Sequence, residues 1–355
     1  MMKRLFTFIL ITIFSNSIFS QTNYEKGKKY FDEKNYIIAT NYFQQGAEEG
    51  DANAQYFLGL CYLKGWGVKK SHEKMAYWFF KAAEQGDIDA LSLASKICFM
   101  GLGTEKDTIR AVNYCIKAAE HGIANCQNKL GVCYEHGIVV EKDINKAVEL
   151  YTKAAEQKHA DGQYHLGKCY MYGLSVKKDE LKAIELYTKA AEQGHAEAQY
   201  TLGCCYDEGL GVMINHEKAF SWYTKAAEQG YADAQCNLGI CYRQGEGVEQ
   251  NIEKAIFWYT KAAEQGHPKT QYYLGTFYTN GDHGVKKDIE KGKYWLTKSA
   301  EQGYFVAQYA MGYFYESGTG FEKDLEKAKY WYNKAADQGY YQAIEALRKL
   351  REEKK

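Results

Sequence analysis

The chain has 355 residues, with 45 basic and 45 acidic side chains, 46% hydrophobic and 15% aromatic residues, 33 glycines, ten cysteines and one proline. This composition excludes a disordered or collagen-like chain, and zero formal net charge gives no global attraction to nucleic acid or anionic lipid. A single proline, Pro268, is too few for several linked domains and fits one long helical array.

The chain opens with Met1-Met2-Lys3-Arg4, an apolar run from Leu5 to Ile13, and small residues at Ser17 and Ser20 before Gln21. That order of charge, apolar core and small residues predicts a cleaved secretory signal peptide over residues 1–20, and hence a secreted or periplasmic protein. The run is shorter than the roughly 20 residues a spanning helix needs, so no membrane span is expected once the signal is removed; retention as an anchor stays open. Residues 21–50 form a short hairpin segment, with Tyr24, Gly27, Tyr30, Tyr36, Ala39 and Ala47 at helical steps.

From Asp51 to Gly339 the chain repeats itself. The string Ala-Ala-Glu-Gln-Gly and its variants end at Gly86, Gly122, Lys158, Gly194, Gly230, Gly266, Gly303 and Gly339, spaced by 36 residues with one step of 37. Each of these eight units reads as two helices. The first carries Ala-x-Ala-Gln-Tyr-x-Leu-Gly-x-Cys-Tyr, as at Ala52 to Tyr62 and through Ala198 to Tyr206, and is stopped by a glycine: Gly65, Gly101, Gly137, Gly173, Gly209, Gly245, Gly281 or Gly318. The second starts at Ser71, Asp107, Asp143, Asp179, Asn215, Asn251, Asp288 or Asp324, all good N-cap types, and runs through Glu-Lys-Ala-x-x-Trp-Tyr-x-Lys-Ala-Ala-Glu. Its large residues, such as Trp222 and Tyr223 or Trp258 and Tyr259, are expected to face the small residues of the next unit's first helix. Residues 340–355 close the array as a capping helix with a charged tail.

These motifs, with the Gly-x-Gly-Val turn at Gly65-Trp66-Gly67-Val68, resemble the Sel1-like repeats, relatives of the tetratricopeptide repeats. The resemblance covers 289 of the 355 residues. It implies an all-α fold: an α/α superhelical solenoid of eight 36-residue repeats over 51–339, preceded by a tetratricopeptide-like hairpin. It also implies a non-enzymatic scaffold or adaptor that binds a peptide or partner protein along the concave groove. A second reading, through the penicillin binding linked with cysteine-rich relatives, is a cell-envelope factor with penicillin-binding or weak β-lactamase-like activity.

Two places depart from the pattern. Unit 87–122 has Ser95 where the others have glycine, which predicts a locally wider or kinked stack, and the 37-residue step reflects an insertion around Asp282-His283, read as an exposed bulge.

Chemistry is weighed by register. Cys61, Cys133, Cys169, Cys205 and Cys241 share one first-helix position, taken by Phe277 and Phe314 in later units, so they read as core thiols a repeat apart, beyond disulfide reach. Cys115 and Cys126 flank the turn at Gly122, and whether they pair is left open. His159, His195 and His267 recur at the inter-unit turn and read as solvated turn residues. Ser71-His72-Glu73-Lys74 matches the Ser-x-x-Lys of serine β-lactamases, but Ser71 sits in the N-cap register and neither Ser-Asp-Asn nor Lys-Thr-Gly occurs. No Cys-x-x-Cys or His-Glu-x-x-His pattern is present, so no catalytic, metal or cofactor site is expected.

What remains is a stripe on the first helices, at steps of four, three and four residues, whose side chains change from unit to unit while the packing registers hardly change. It comprises Asn125, Lys129, Val132 and His136; Asp161, His165, Lys168 and Tyr172; Glu197, Thr201, Cys204 and Glu208; Asp233, Asn237, Ile240 and Gln244; and Lys269, Tyr273, Thr276 and Asn280. This stripe is expected to be the partner-binding face, with merely solvated polarity as the alternative. The expected partner is a protein or peptide, not nucleic acid, and the chain is expected to be a monomer.

Overall fold

The structure of the chain, a computed structural model, describes residues 21–281 and 285–352. The proposed leader and the insertion at Asp282-His283 lie outside the described residues. Those residues form nineteen helices and no strand, and they fall into two compact units divided between Lys178 and Asp179.

The first unit holds α1 (Asn23–Asp32), α2 (Tyr36–Glu48), α3 (Ala52–Lys64), α4 (His72–Glu84), α5 (Ile88–Met100), α6 (Thr108–Glu120), α7 (Ala124–His136), α8 (Ile144–Glu156) and α9 (Ala160–Tyr172). The second holds α10 (Glu180–Glu192), α11 (Ala196–Glu208), α12 (His216–Glu228), α13 (Ala232–Gln244), α14 (Ile252–Glu264), α15 (Pro268–Asn280), α16 (Ile289–Glu301), α17 (Phe305–Ser317), α18 (Leu325–Ala336) and α19 (Tyr341–Glu352). Within each unit, consecutive helices pack against one another in a repeat solenoid.

Local chemistry sets the helix ends where the sequence predicts them. At all eight second-helix starts the N-cap side chain accepts a backbone amide of the first turn, from Ser71 to Asp324. All eight first helices end on a left-handed glycine, such as Gly209 at φ 76°.

The core between paired helices is a glycine–aromatic seam, and here the structure corrects the sequence expectation. The large ring of a second helix lies on the glycine of its own unit, not only on the next one. A Cβ placed on Gly203 would stand 2.6 Å from the Tyr223 ring, and one on Gly239 would stand 2.5 Å from Tyr259. Glycine in mid-helix costs about 1 kcal/mol relative to alanine, and burial of a large side chain returns about 1.5–3 kcal/mol. Tyr151, Tyr187, Tyr223, Tyr259 and Tyr332 are all at or below 1% exposure. The same tyrosine also joins the next repeat's core, since Tyr223 clusters with Ala234 and Leu238.

The expected widening at Ser95 does not follow. The residue opposite Ser95, in the position of the tyrosines, is Cys115, and both are 0% exposed. A larger residue on one helix is matched by a smaller one on the other, and α5 and α6 pack as the other pairs do.

Successive repeats are joined by a buried amide relay that sequence inspection did not identify. Gln199 Nε2 donates to the Ala191 carbonyl oxygen at 2.9 Å, and its Oε1 accepts from Gln229 Nε2 at 2.8 Å. Gln55 with Gln85, Gln127 with Gln157, Gln235 with Gln265, Gln271 with Gln302 and Gln308 with Gln338 repeat the pairing. Both glutamines belong to the recurring strings: one precedes the tyrosine of the first helix, and the other stands in Ala-Ala-Glu-Gln-Gly.

Candidate partner-binding face

In the first unit α7 carries Asn125, Lys129 and His136, and α9 carries Asp161, His165, Lys168 and Tyr172. In the second unit α11 carries Glu197, Thr201 and Glu208, α13 carries Asp233, Asn237 and Gln244, and α15 carries Lys269, Tyr273 and Asn280. Every one is half-buried or exposed, as are Val132, Cys204, Ile240 and Thr276. Their helix neighbours Leu130, Leu166, Leu202, Leu238 and Leu274 are at 6% exposure or less. The steps of four, three and four therefore do place one accessible row on each helix.

The row has a floor. The seam tyrosine passes beside its glycine and brings its hydroxyl up under the row, where in three repeats a carboxylate at the eleventh step of the first helix accepts its hydrogen bond. Tyr151 donates to Glu135 Oε2 at 2.5 Å, Tyr223 to Asp207 Oδ2 at 3.3 Å, and Tyr332 to Glu316 Oε2 at 2.5 Å. Burial and the nearby carboxylate push the Tyr151 and Tyr332 hydroxyls up, so both remain donors. The following repeat adds a side chain from the row itself. The His165 ring stacks on Tyr151 with centroids 4.9 Å apart, while its Nδ1 lies 2.9 Å from Asn128 Oδ1 and 2.8 Å from the Asp161 carbonyl oxygen. Burial pulls the His165 pKa down. Tyr273 lies 5.3 Å from Tyr259. His165 is therefore part of the packing between repeats as well as of the row.

Glu135, Asp207 and Glu316 escaped the sequence reading. Their register reads Glu135, Met171, Asp207, Arg243, Thr279 and Glu316, as variable as the row itself. That variability was the available signal.

The inter-unit histidines also need correction. His159, His195 and His267 are N-caps, with Nδ1 accepting from the Gly162, Ala198 and Thr270 amides at 3.3, 3.0 and 3.3 Å. The His267 side chain is only 15% exposed, and its Nε2 faces Asp233 Oδ1 at 3.2 Å. Burial lowers its pKa against the opposing pull of Asp233. A histidine can replace aspartate here because its unprotonated Nδ1 is an acceptor.

The five core-register cysteines are buried free thiols, and burial pushes Cys205 and Cys241 up to about 12. Cys115 and Cys126 meet as thiols, with Cys115 Sγ donating to the Cys126 carbonyl oxygen at 3.2 Å. Ser71 Oγ accepts the Lys74 amide at 3.3 Å, and Lys74 Nζ sits over the Tyr62 ring at 5.4 Å, so the pair serves a cap and a cation–π contact. Asp207, His216 and Glu246 converge within 4.8 Å. The donor atoms are already engaged: His216 Nδ1 holds Asp207 Oδ1 at 2.8 Å, and Asp207 Oδ2 takes the Tyr223 hydroxyl. A cleft of about 410 Å³ lies away from the row, lined by Ile116, Leu130, Tyr134 and Leu150 with Lys146 and Lys153.

A family model described as Sel1 repeat matches residues 21–51, 52–87, 89–123, 124–159, 160–195, 196–231, 232–267, 268–304 and 306–340. The first of these is the segment read from sequence as a tetratricopeptide-like hairpin. Among solved structures, the chain is similar to c5321, a protective antigen of uropathogenic Escherichia coli strains displaying an SLR fold. The identity is 36% and the TM-score 0.71, over 86% of this chain and 65% of that one. It is also similar to a Sel1 repeat protein from Oxalobacter formigenes, at 32% identity and TM-score 0.62, over 68% of this chain and 97% of that one. A curated relative, the ERAD-associated E3 ubiquitin-protein ligase component HRD3B of Arabidopsis thaliana, is 43% identical over 58 residues, 16% of this chain and 10% of that protein. The chain thus spans a tenth of that curated relative and about two thirds of the E. coli antigen.

Proposed function

The chain belongs to the Sel1 repeat family, whose members serve as protein–protein interaction scaffolds, and on that premise we propose that it holds a peptide or partner protein along the first-helix row, without catalysis. The observation that carries this reading is the contrast between registers. Glycine, tyrosine and glutamine positions that close the seam recur with little change, whereas the accessible row differs in every repeat. Residues needed only for solubility could be any mixture of charges. A row with His165, Tyr172 and Tyr273 among its lysines and acids offers the mixed aromatic and polar surface that interfaces use.

The proposed site of action is outside the cytoplasm, as a monomer after removal of residues 1–20. The sequence of that leader supports this location, as does the likeness to a protective antigen. A photo-crosslinking residue placed at Lys168 on the row, and in a second variant at Glu149 on an exposed second-helix face, tests the reading in native envelope extracts. A discrete adduct from position 168 and none from 149 is expected. Adducts at both positions alike, or at 149 alone, contradict it.

A further inference from the structure

In the tyrosine floor, the rung at Tyr259 differs from those at Tyr151, Tyr223 and Tyr332. In three repeats the hydroxyl donates to a carboxylate of its own chain, at Glu135, Asp207 and Glu316. In the repeat of α13 and α14 the same register holds Arg243 in place of the acid. Tyr259 is 0% exposed, and its hydroxyl has no hydrogen-bond partner. Arg243 Nε is buried and equally without one. The guanidinium beside Tyr259 can give a hydrogen to the hydroxyl oxygen but has no acceptor atom to offer in return, so the hydroxyl proton of Tyr259 and the Nε–H of Arg243 are left without an acceptor.

The surroundings are cationic. The guanidinium lies 5.7 Å from the Tyr273 ring, and Lys269 Nζ lies 5.8 Å from the same ring. Asp233, the acid on α13 that belongs to the row, is turned to His267. No ion pair among the described residues includes Arg243.

We propose that Arg243, Tyr259 and Lys269 form a receptor site for one carboxylate, supplied by an aspartate or glutamate side chain of the bound partner. The proposal rests on the scaffold reading above and names the chemistry that its row recognises. The partner's carboxylate takes the place that Glu135, Asp207 and Glu316 fill elsewhere. It accepts from the Tyr259 hydroxyl and from the guanidinium fork, whose planar pair of N–H groups matches a carboxylate. Lys269 adds charge at the entrance, and Tyr273 walls one side. A rung that three repeats satisfy internally is left to be completed by a ligand.

The chain contains five arginines, so their Nε–H resonances are few enough to assign. The full chain labelled with ¹⁵N-arginine is titrated with a blocked Gly-Gly-Glu-Gly-Gly peptide, with its glutamine counterpart, and with inorganic phosphate. The glutamate peptide should shift one Nε–H resonance saturably, the glutamine peptide should leave it in place, and Arg243→Gln should remove that signal. Tyr259→Phe, which deletes only an unmet hydroxyl, should weaken the peptide about threefold to tenfold without lowering the thermal midpoint. Arg243→Glu should raise the midpoint by giving Tyr259 its own acceptor. No shift with the glutamate peptide overturns the site, and so does a shift with phosphate alone. Failure here is separable from failure of the scaffold. A partner still captured by Arg243→Gln leaves the scaffold standing without this site, whereas absence of any captured partner removes the scaffold itself.

Discussion

In the pair α11–α12 the seam is closed by Gly203 under Tyr223, while in α5–α6 it is closed by Ser95 against Cys115. One pair uses no side chain against a ring, and the other uses two of intermediate size. Both leave the helices packed alike, so the fold constrains the summed volume at the seam and not the identity of either residue. The row lies outside that seam and its residues differ from repeat to repeat, although His165 and Tyr273 also pack on the tyrosines below.

The comparison can be broken most forcefully at Cys115. Cys115→Tyr places a ring against Ser95 and is expected to destabilise by about 3 kcal/mol, whereas Cys115→Tyr with Ser95→Gly recreates the α11–α12 arrangement and recovers most of the loss. Thermal unfolding of the two single variants and the double variant reads the coupling. Simple additivity would mean that the seam is not volume-matched. Gly203→Ala tests the other side. Its Cβ would stand 2.6 Å from the Tyr223 ring, so a loss of about 2 kcal/mol is expected.

A smaller effect separates the rungs. Tyr151→Phe removes a hydrogen bond to a carboxylate and should cost about 1–2 kcal/mol, while Tyr259→Phe should be close to neutral, because its hydroxyl has no acceptor. Equal losses in denaturant unfolding would contradict the distinction. Ser71→Ala, which loses the amide bond to Lys74, should cost about 1 kcal/mol.

The histidines give the mildest effect. Burial holds the folded-state pKa of His165 and of His267 below the ordinary 6.5. The unfolded chain therefore binds protons first, and stability should be full above about pH 6.5 and fall as pH drops below it. Replacing His267 by Asn, which keeps an N-cap acceptor that does not titrate, should flatten part of that slope in pH-dependent melting. An unchanged slope would show that His267 is not the group responsible.

The fold was legible in the sequence because caps and stops are local. Asp143 or Asn215 needs only its own first turn to act, and Gly209 only its own φ. What was not legible depends on how one helix is rotated against another. Periodicity marks Tyr223 as buried, but it does not say that the ring lies on Gly203 or that its hydroxyl reaches Asp207. The amide relay between Gln199 and Gln229 joins residues from opposite ends of a helix pair, and each looked like part of a turn or helix string. The histidine caps were missed because histidine is an uncommon cap and its role depends on an unprotonated Nδ1. The row itself was visible as variation, but its floor was not.

The proposed division between a recurrent seam that holds the fold and a variable row that binds a partner is tested most directly by reversing charge on the row alone. Lys129→Glu with Lys168→Glu touches two half-buried row positions and no seam residue. Capture of the partner from native envelopes and the thermal midpoint are then measured on the same preparation. The expected result is an unchanged midpoint with capture reduced at least tenfold, about 1.4 kcal/mol. Unchanged capture at an unchanged midpoint would contradict the assignment of the row as the binding face.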